Sequence, residues 1–500
     1  MEAGLILKRG LLLPDRREDS IAVGGGRILA VGEGRIASLG IQRRETIDLS
    51  GRPVLPGFID AHVHLLDAGL REIGWRVDLS GLSRDEALSA LRDEVKLRQG
   101  EWVIGEGWDE SRWEDAFYLT REELDRVSPH SPLGAIRMDG HMIVLNRAGL
   151  RAASVLLDPG SALFDPEGGI LREGAAWALL EAIEPDPSTL ADALSAAARL
   201  CHRLGVTTVH TMEKPARVPV LFERRGRDLL RIGVYQTVGS PSEIKRIARC
   251  ENDRWFRFLG VKVFTDGSIG AGSAAVAEAY PSGGNGILNY ADEELFQLLS
   301  SATRIGYQAA VHAIGDRAID QVLRAYSAFN DPAELRNRIE HFELPGPGQI
   351  ESVKRLGLYL SMQPNFIGNW SGVGRMYVER LGAERDAASN PLRSIVDERI
   401  PLAFGSDGMP ISPLYGIHSA VNAPYPTQRL TLAEAISSYT EGGARIGFEE
   451  RVKGRIEEGF LADLVVLDED PSLSLGEVNE RRVEMTFVGG VCVYSLEEDG

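Results

Sequence analysis

The stretch Leu55-Pro-Gly-Phe-Ile-Asp-Ala-His-Val-His64 decides how the rest of the chain is read. A mostly apolar run leads into two histidines one residue apart. Side chains alternate faces along a strand, so His62 and His64 aim two imidazoles at one point. Two neutral imidazoles held that way suit a divalent metal ion. Taken alone, a His-x-His pair is more often structural, so the reading depends on what else the chain brings to the same place.

Working outward, this run is the first of eight short apolar strands: Leu55–His64, Gly205–His210, Arg231–Val238, Leu259–Asp266, Gln308–Ala313, Arg338–Glu343, Tyr359–Asn365 and Pro401–Asp407. Near-continuous apolar runs are the mark of buried parallel strands. Helical patterns such as Asp316–Ser327 and Leu432–Thr440 intervene, so the expected class is α/β, a closed (β/α)8 barrel. The interval from the first strand to the second far exceeds an ordinary connection and must hold an inserted unit. The flanks have a different texture. Short strands at Leu5–Leu7, Ser20–Val23, Arg27–Val31 and Arg35–Leu39, with a glycine turn at 24–26, precede the barrel. Strands at Gly459–Leu467 and Met485–Tyr494 follow it. Neither set can close a core alone, so both ends are expected to form one small β-sandwich. The division is residues 1–54 and 454–500 for the sandwich, 55–66 and 191–453 for the barrel, and 67–190 for an inserted lid or wall.

In such a barrel the C-terminal strand ends converge on the active face. The residues there are His62 and His64 (strand 1), Lys262 (strand 4), His312 (strand 5), His341 (strand 6) and Asp407 (strand 8). Singly, each has an ordinary explanation: a strand-end aspartate is commonly a helix cap, and a lone histidine is commonly packed in the core. A lysine among valines is harder to dismiss, because a buried ammonium must be paired, neutralised or modified. Five metal-ligand types and one lysine on one rim make a joint coincidence that points to metal chemistry.

Bulk properties narrow the classes further. The chain has 500 residues, is 43% hydrophobic and 26% charged, and carries a formal charge of −18, which argues against a nucleic-acid partner. No apolar run suits a membrane span and the first residues do not read as a signal peptide, so a cytoplasmic location with no membrane contact is expected. The three cysteines form no metal pattern.

The motifs Leu55–His64, Gly105-Glu-Gly-Trp-Asp-Glu110, Lys262 with Asp266-Gly-Ser268, His312-Ala-Ile-Gly-Asp-Arg-Ala318, Arg338-Ile-Glu-His341, Gly405-Ser-Asp407 and Gly459–Leu467 together resemble the amidohydrolase superfamily, within it the amidohydrolase-3 (YtcJ-like) group. The resemblance runs over essentially the whole chain. It implies two divalent ions, Zn2+ foremost. His62, His64 and Asp407 would bind the first, and His312 and His341 the second. Lys262, carboxylated by CO2, would bridge them. It implies a hydrolase acting on a C–N bond of a small molecule (amide, formamide, cyclic imide or carbamate) through a metal-bridged hydroxide, with Asp407 as the proton carrier. A homodimer is common among such proteins. The group also carries Asp-Gly-His where this chain has Asp139-Gly-His141, so His141 is a candidate substrate contact.

Further substrate-binding candidates are His210, Asp266, Gln363, Asn365 and Trp108. His210 either orients a substrate oxygen or stacks inside the barrel. Asp266 either supports the ligands or caps the next helix. Trp108, with Trp102 and Trp113, is weighed against a place in the insertion's own core. Two other functions stand against the binuclear hydrolase: a mononuclear deaminase-like hydrolase, which would not need Lys262, and a non-catalytic relative, which would not need convergent ligands.

Overall fold

The structure is a computed structural model that describes residues 2–40, 42–98, 100–158, 161, 163–248 and 250–499. Eight parallel strands, Phe58–Val63, Val206–Glu213, Arg231–Thr237, Phe256–Phe264, Gln308–Ala313, Arg338–His341, Tyr359–Met362 and Leu402–Phe404, follow one another in chain order around a single sheet. They are the eight expected from the apolar runs. Strands 1, 2, 5 and 6 are buried along their whole length. Where strand 8 returns to strand 1, the Asp407 N–H donates to the His62 carbonyl at 2.7 Å. Asp60 accepts from both the backbone N–H and the hydroxyl of Ser406, at 2.9 and 2.5 Å. A Cβ on Gly405 would fall 2.3 Å from the His62 nitrogen, so only glycine lets the two strands approach this closely. The seam of the barrel is thus made by the neighbours of the candidate ligands.

Helices cover the outside by the usual amphipathic logic. In Asp316–Ser327 the buried set includes Ala318, Ile319, Val322, Leu323 and Tyr326, one stripe of the helix. The expected helix from Leu432 runs to Ser437 and then widens into a π turn over Ser438–Gly442. Helix Leu65–Glu72, which follows strand 1, packs backbone to backbone on Pro187–Arg203, where a Cβ on Gly69 would lie 2.0 Å from the Ala193 carbonyl oxygen.

Between those two helices the chain builds a second sheet. Its order is Phe164–Asp165, Ile170–Arg172, Met142–Leu145, Leu133–Arg137, Val103–Trp108 and Val77–Asp78. One face buries Trp108, Trp113, Leu91 and Leu124; the other buries Ile104, Ile143, Leu171 and Leu179. This is the large insertion after strand 1.

The two ends of the chain meet in a third sheet. Its order is Val491–Ser495, Val483–Val488, Leu464–Leu467, Pro53–Pro56, Glu2–Leu12, Arg17–Gly24 and Arg27–Val31, with Gln42–Asp48 also paired to Glu2–Leu12. It curls until Ile28 exchanges backbone bonds with Gly459 and Phe460. Its core joins Leu7, Ile21 and Val54 to Leu464, Val466 and Phe487, as expected for a sandwich that needs both ends.

Three local expectations are corrected. Arg35–Leu39 is not a strand but the end of helix Glu33–Ser38 and its capping residue Leu39. Met485–Tyr494 is a hairpin, bent at Gly489 and Gly490, both at positive φ. The run Leu55–His64 is two strands: Leu55 and Pro56 pair with Val465 and Leu464 in the sandwich, and the barrel strand starts after Gly57. A Cβ on Gly57 would meet the Thr207 side chain at 2.4 Å, which explains the change of sheet there. Among the described residues, no helix is long and apolar enough to cross a membrane.

Candidate metal centre

Strand 1 ends with His62 fully buried and His64 one-third exposed beside it. His62 Nδ1 lies 2.6 Å from Glu340 Oε2, and Glu340 is ion-paired in turn with Arg338 at 2.5 Å. His64 Nδ1 lies 3.2 Å from the Met212 carbonyl. An imidazole that gives one N–H to a carboxylate or carbonyl keeps its other nitrogen as a lone pair. Both remaining Nε2 atoms face Asp407 Oδ1, at 3.5 Å from His62 and 3.2 Å from His64. Burial, and then the charge of Lys262, lowers the His62 pKa to about 4, so it is a neutral donor. Asp407 is buried too, yet His62, His64 and Lys262 hold its carboxyl well below the usual range.

His312 and His341 complete the cluster. Ring centroids are 4.5 Å apart for His312 and His341, and 4.9 Å for His62 and His341. Burial and the neighbouring imidazoles push His341 well below the usual histidine pKa, and burial lowers His312. His312 Nε2 is 3.1 Å from the Gly267 carbonyl, which leaves Nδ1 free. The Nδ1 atoms of both His312 and His341 are buried without a hydrogen-bond partner. Such orphaned polar atoms are rare in a folded protein and ask for an explanation. His341 (φ 71°), Phe342 (φ 50°) and Asp407 (φ 55°) are all left-handed, a costly backbone for residues other than glycine and one that clusters at functional sites.

Lys262 Nζ stands 3.3 Å from His62 Nε2 and 4.7 Å from the Phe264 ring centre, with no exposure. Burial lowers its pKa to about 8, although Glu340 and Asp407 act to raise it. The donor set therefore fits a divalent ion: His62, His341 and Asp407 each offer a ligand atom within 4.8 Å of the others, with His64, His312 and Lys262 around them. Neutral imidazoles and carboxylate oxygens are the donors that zinc prefers.

His141 comes to this centre from the insertion. Its Nδ1 is 2.7 Å from Glu173 Oε2, and its ring lies 5.2 Å from that of His312. The other Glu173 oxygen accepts from Ser273 at 2.6 Å. Burial acts to lower the His141 pKa, but Glu173 and Asp139 more than offset it, and the value reaches about 9. Glu173 itself sits at φ 45°.

Five other sequence candidates stand back from the cavity, Asp266 among them as a support for His312. His210 is not at the rim: strand 2 runs on to Glu213, and His210 packs inside the barrel, 3.5 Å from Arg338. Asp266 accepts three backbone N–H groups, from Ala275, Ile314 and Gly315, and clamps those loops while lying 3.4 Å from His312. Strand 7 stops at Met362 and a helix starts at Pro364, so Gln363 and Asn365 turn into the packing; Asn365 donates to the Pro410 carbonyl and accepts from Tyr439. Trp108 stacks on Trp113 at 5.7 Å and donates to the Ala135 carbonyl. None of the five lines the cavity above the centre.

Asp60, Glu340 and Glu173 were missed as site residues. Asp60 and Glu340 carried a signal, being charged residues in otherwise apolar strands beside the ligands. Burial raises the Asp60 pKa to about 7.

The cavity measures about 890 Å³, and His62, His64, His141, His312, His341 and Asp407 form its floor. One wall is an ion network. Arg76 pairs with Asp67 and Glu106, Arg71 with Glu106, Arg217 with Asp67, Glu184 and Glu213, and Lys214 with Glu184. It ties barrel loops 1 and 2 to Glu106 and Glu184.

A barrel with histidines, a lysine and an aspartate converging at its strand ends defines a metal-dependent hydrolase. The amidohydrolase family model matches residues 45–494, and the chain belongs to that family. It is 32% identical to YtcJ of Bacillus subtilis (strain 168), named as an amidohydrolase, over 90% of each chain. It is 28% identical to the N-substituted formamide deformylase of Arthrobacter pascens, over 95% of this chain and 94% of that one. A solved metal-dependent hydrolase from Pyrococcus furiosus, itself uncharacterized, is 30% identical and superposes with a TM-score of 0.72, covering 93% of this chain and 99% of that chain.

Proposed function

We propose that this protein hydrolyses a C–N bond in a small molecule: an amide, formamide, cyclic imide or carbamate. The observation that carries the reading is the convergence of four imidazoles and Asp407 on the cavity floor, with Lys262 buried 3.3 Å behind His62 and two of the imidazoles holding buried, unpartnered nitrogens. The formamide-cleaving relative supports the C–N class. In this reading His62, His64 and Asp407 would hold one divalent ion, zinc by preference, and His312 and His341 would hold a second. Lys262, once carboxylated, would add anionic oxygen ligands to this set. Bound ions supply Lewis acidity, which makes water acidic enough to attack near neutral pH and polarises the substrate carbonyl.

The chain's own groups do the rest. Asp407 takes the proton of the attacking water and passes it to the leaving nitrogen, a transfer suited to a carboxylate kept ionised by its neighbours. Glu340 fixes the tautomer of His62. His141, held by Glu173 beside His312, is placed to contact the substrate from the cavity floor.

A mononuclear reading is favoured by one observation, the tight grouping of His62, His341 and Asp407. Elemental analysis of protein purified without chelators, with Lys262→Ala beside it, separates the two. About two metals per chain, falling markedly in the variant, supports the bridged pair. About one metal, unchanged in the variant, refutes it in favour of the single-ion hydrolase. None, even after zinc and bicarbonate, refutes both.

A further inference from the structure

The metal ligands come from strands 1, 4, 5, 6 and 8. Strands 2 and 3 give none, yet the segments that follow them line much of the cavity. After strand 2, helix Val218–Arg224 presents Val218, Pro219 and Phe222 to it. After strand 3, Ala248 and Cys250 reach the same space. Helix Glu173–Ala182 of the insertion also contributes Trp177 and Leu180, three residues apart and so on one face. With Met212, these groups give the cavity an apolar stretch of lining, the arm considered below. Charged side chains of the same helices and loops, Glu181, Glu223, Glu243 and Arg246, line the same cavity. The whole cavity, about 890 Å³, has the size of sites that take drug-sized ligands and far exceeds what a few-atom amide would fill.

We infer that the arm between helices Val218–Arg224 and Glu173–Ala182 is a binding subsite for an uncharged alkyl or aryl substituent of the substrate. The scissile group sits over the histidines, and the tail lies between Trp177 and Phe222 with its far end near Ala248 and Cys250. The substrate class is therefore an amide-type compound with one extended apolar substituent. This rests on the hydrolase reading above, because the tail is placed by a head group held at the metal centre.

The test uses binding rather than turnover. Protein incubated with zinc and bicarbonate is titrated calorimetrically with acetohydroxamate and with octanohydroxamate, which share a metal-binding head and differ by six methylenes. In parallel, mass spectrometry follows iodoacetamide labelling of the Cys250 peptide. The expected result is an octanohydroxamate affinity at least about 100-fold higher, since each buried methylene contributes favourably, with Cys250 protected by the long compound alone. Ala248→Trp plugs the arm from an exposed loop, and Phe222→Ala removes one wall. Both are expected to cut the preference below about tenfold while leaving acetohydroxamate binding unchanged, which also shows that each variant folds. Equal affinities, or a preference with Cys250 unprotected or unaffected by either variant, overturn the subsite and leave the hydrolase reading intact. Binding of neither compound overturns the hydrolase reading first, and the subsite with it.

Discussion

Replacing Glu340 by glutamine tests the electrostatic design of the centre without touching a proposed ligand. Glu340 is fully buried between Arg338 and His62, and those two groups hold its pKa at about 2 against the cost of burial. Glutamine keeps the shape but removes the charge. The guanidinium of Arg338, also unexposed, then keeps the Ala61 carbonyl at 2.9 Å, the face of Tyr235 at 4.3 Å and His210 Nδ1 at 3.5 Å. Breaking a buried pair costs about 3–5 kcal/mol, and the three surviving contacts place this case near the lower end, about 3 kcal/mol. Metal affinity should fall separately. An amide oxygen accepts the His62 Nδ1–H less strongly than a carboxylate, and losing such an outer partner typically costs about 10–100-fold. Two assays read the two effects: urea unfolding of the metal-free protein, and competition for zinc against a fluorescent chelator. Zinc affinity within about twofold of the parent in a folded variant would refute the reasoning, because it would mean that Glu340 does not orient His62.

Three further outcomes are expected. His202 is buried, and burial lowers its pKa to about 4; an unfolded chain therefore takes up its proton first, so stability is full above about pH 6.5 and is lost as pH falls towards 4. Denaturation curves across that range should show a shallower loss for His202→Gln, and an identical slope would count against the assignment. Trp108→Ala should cost about 3–5 kcal/mol by emptying the insertion core, while calorimetry shows zinc binding unchanged; a primary effect on zinc would restore Trp108 to the site. Arg217→Ala leaves Asp67, Glu184 and Glu213 without their shared cation, so limited proteolysis should cut the insertion's loops faster than in the parent at a temperature where both barrels stay folded. Equal cutting rates would show that the ion network does not hold the insertion.

The barrel was legible because buried parallel strands need unbroken apolar runs, and the candidate ligands because polar residues interrupt those runs at their ends. Depth along a strand was not legible. His210 looked like a strand end, but Thr211, Met212 and Glu213 continue the ladder and leave it inside. Gln363 and Asn365 fell past the end of strand 7, on either side of Pro364, whose fixed φ suits the first turn of a helix. Asp266 was balanced between support and cap, and its three backbone partners come from loops that sequence spacing does not bring near. The partners of His62 and His141, Glu340 and Glu173, lie far along the chain. Only the register of the barrel and the fold of the insertion put them in reach.

The pairing of Pro53–Pro56 with Leu464–Leu467 has a consequence for how the chain is made. Val54, Leu55 and Pro56 gain one of their sheet neighbours about 400 residues after they are synthesised. At about 5–20 residues per second, that is a wait of roughly 20–80 s. Throughout it, an apolar strand leading directly into His62 and His64 has no finished edge on that side. Such long-range closure is slow and exposes unpaired strands to aggregation. The nascent chain is thus expected to depend on chaperones until residue 467 has left the ribosome, and the histidine cluster to form late rather than early in folding.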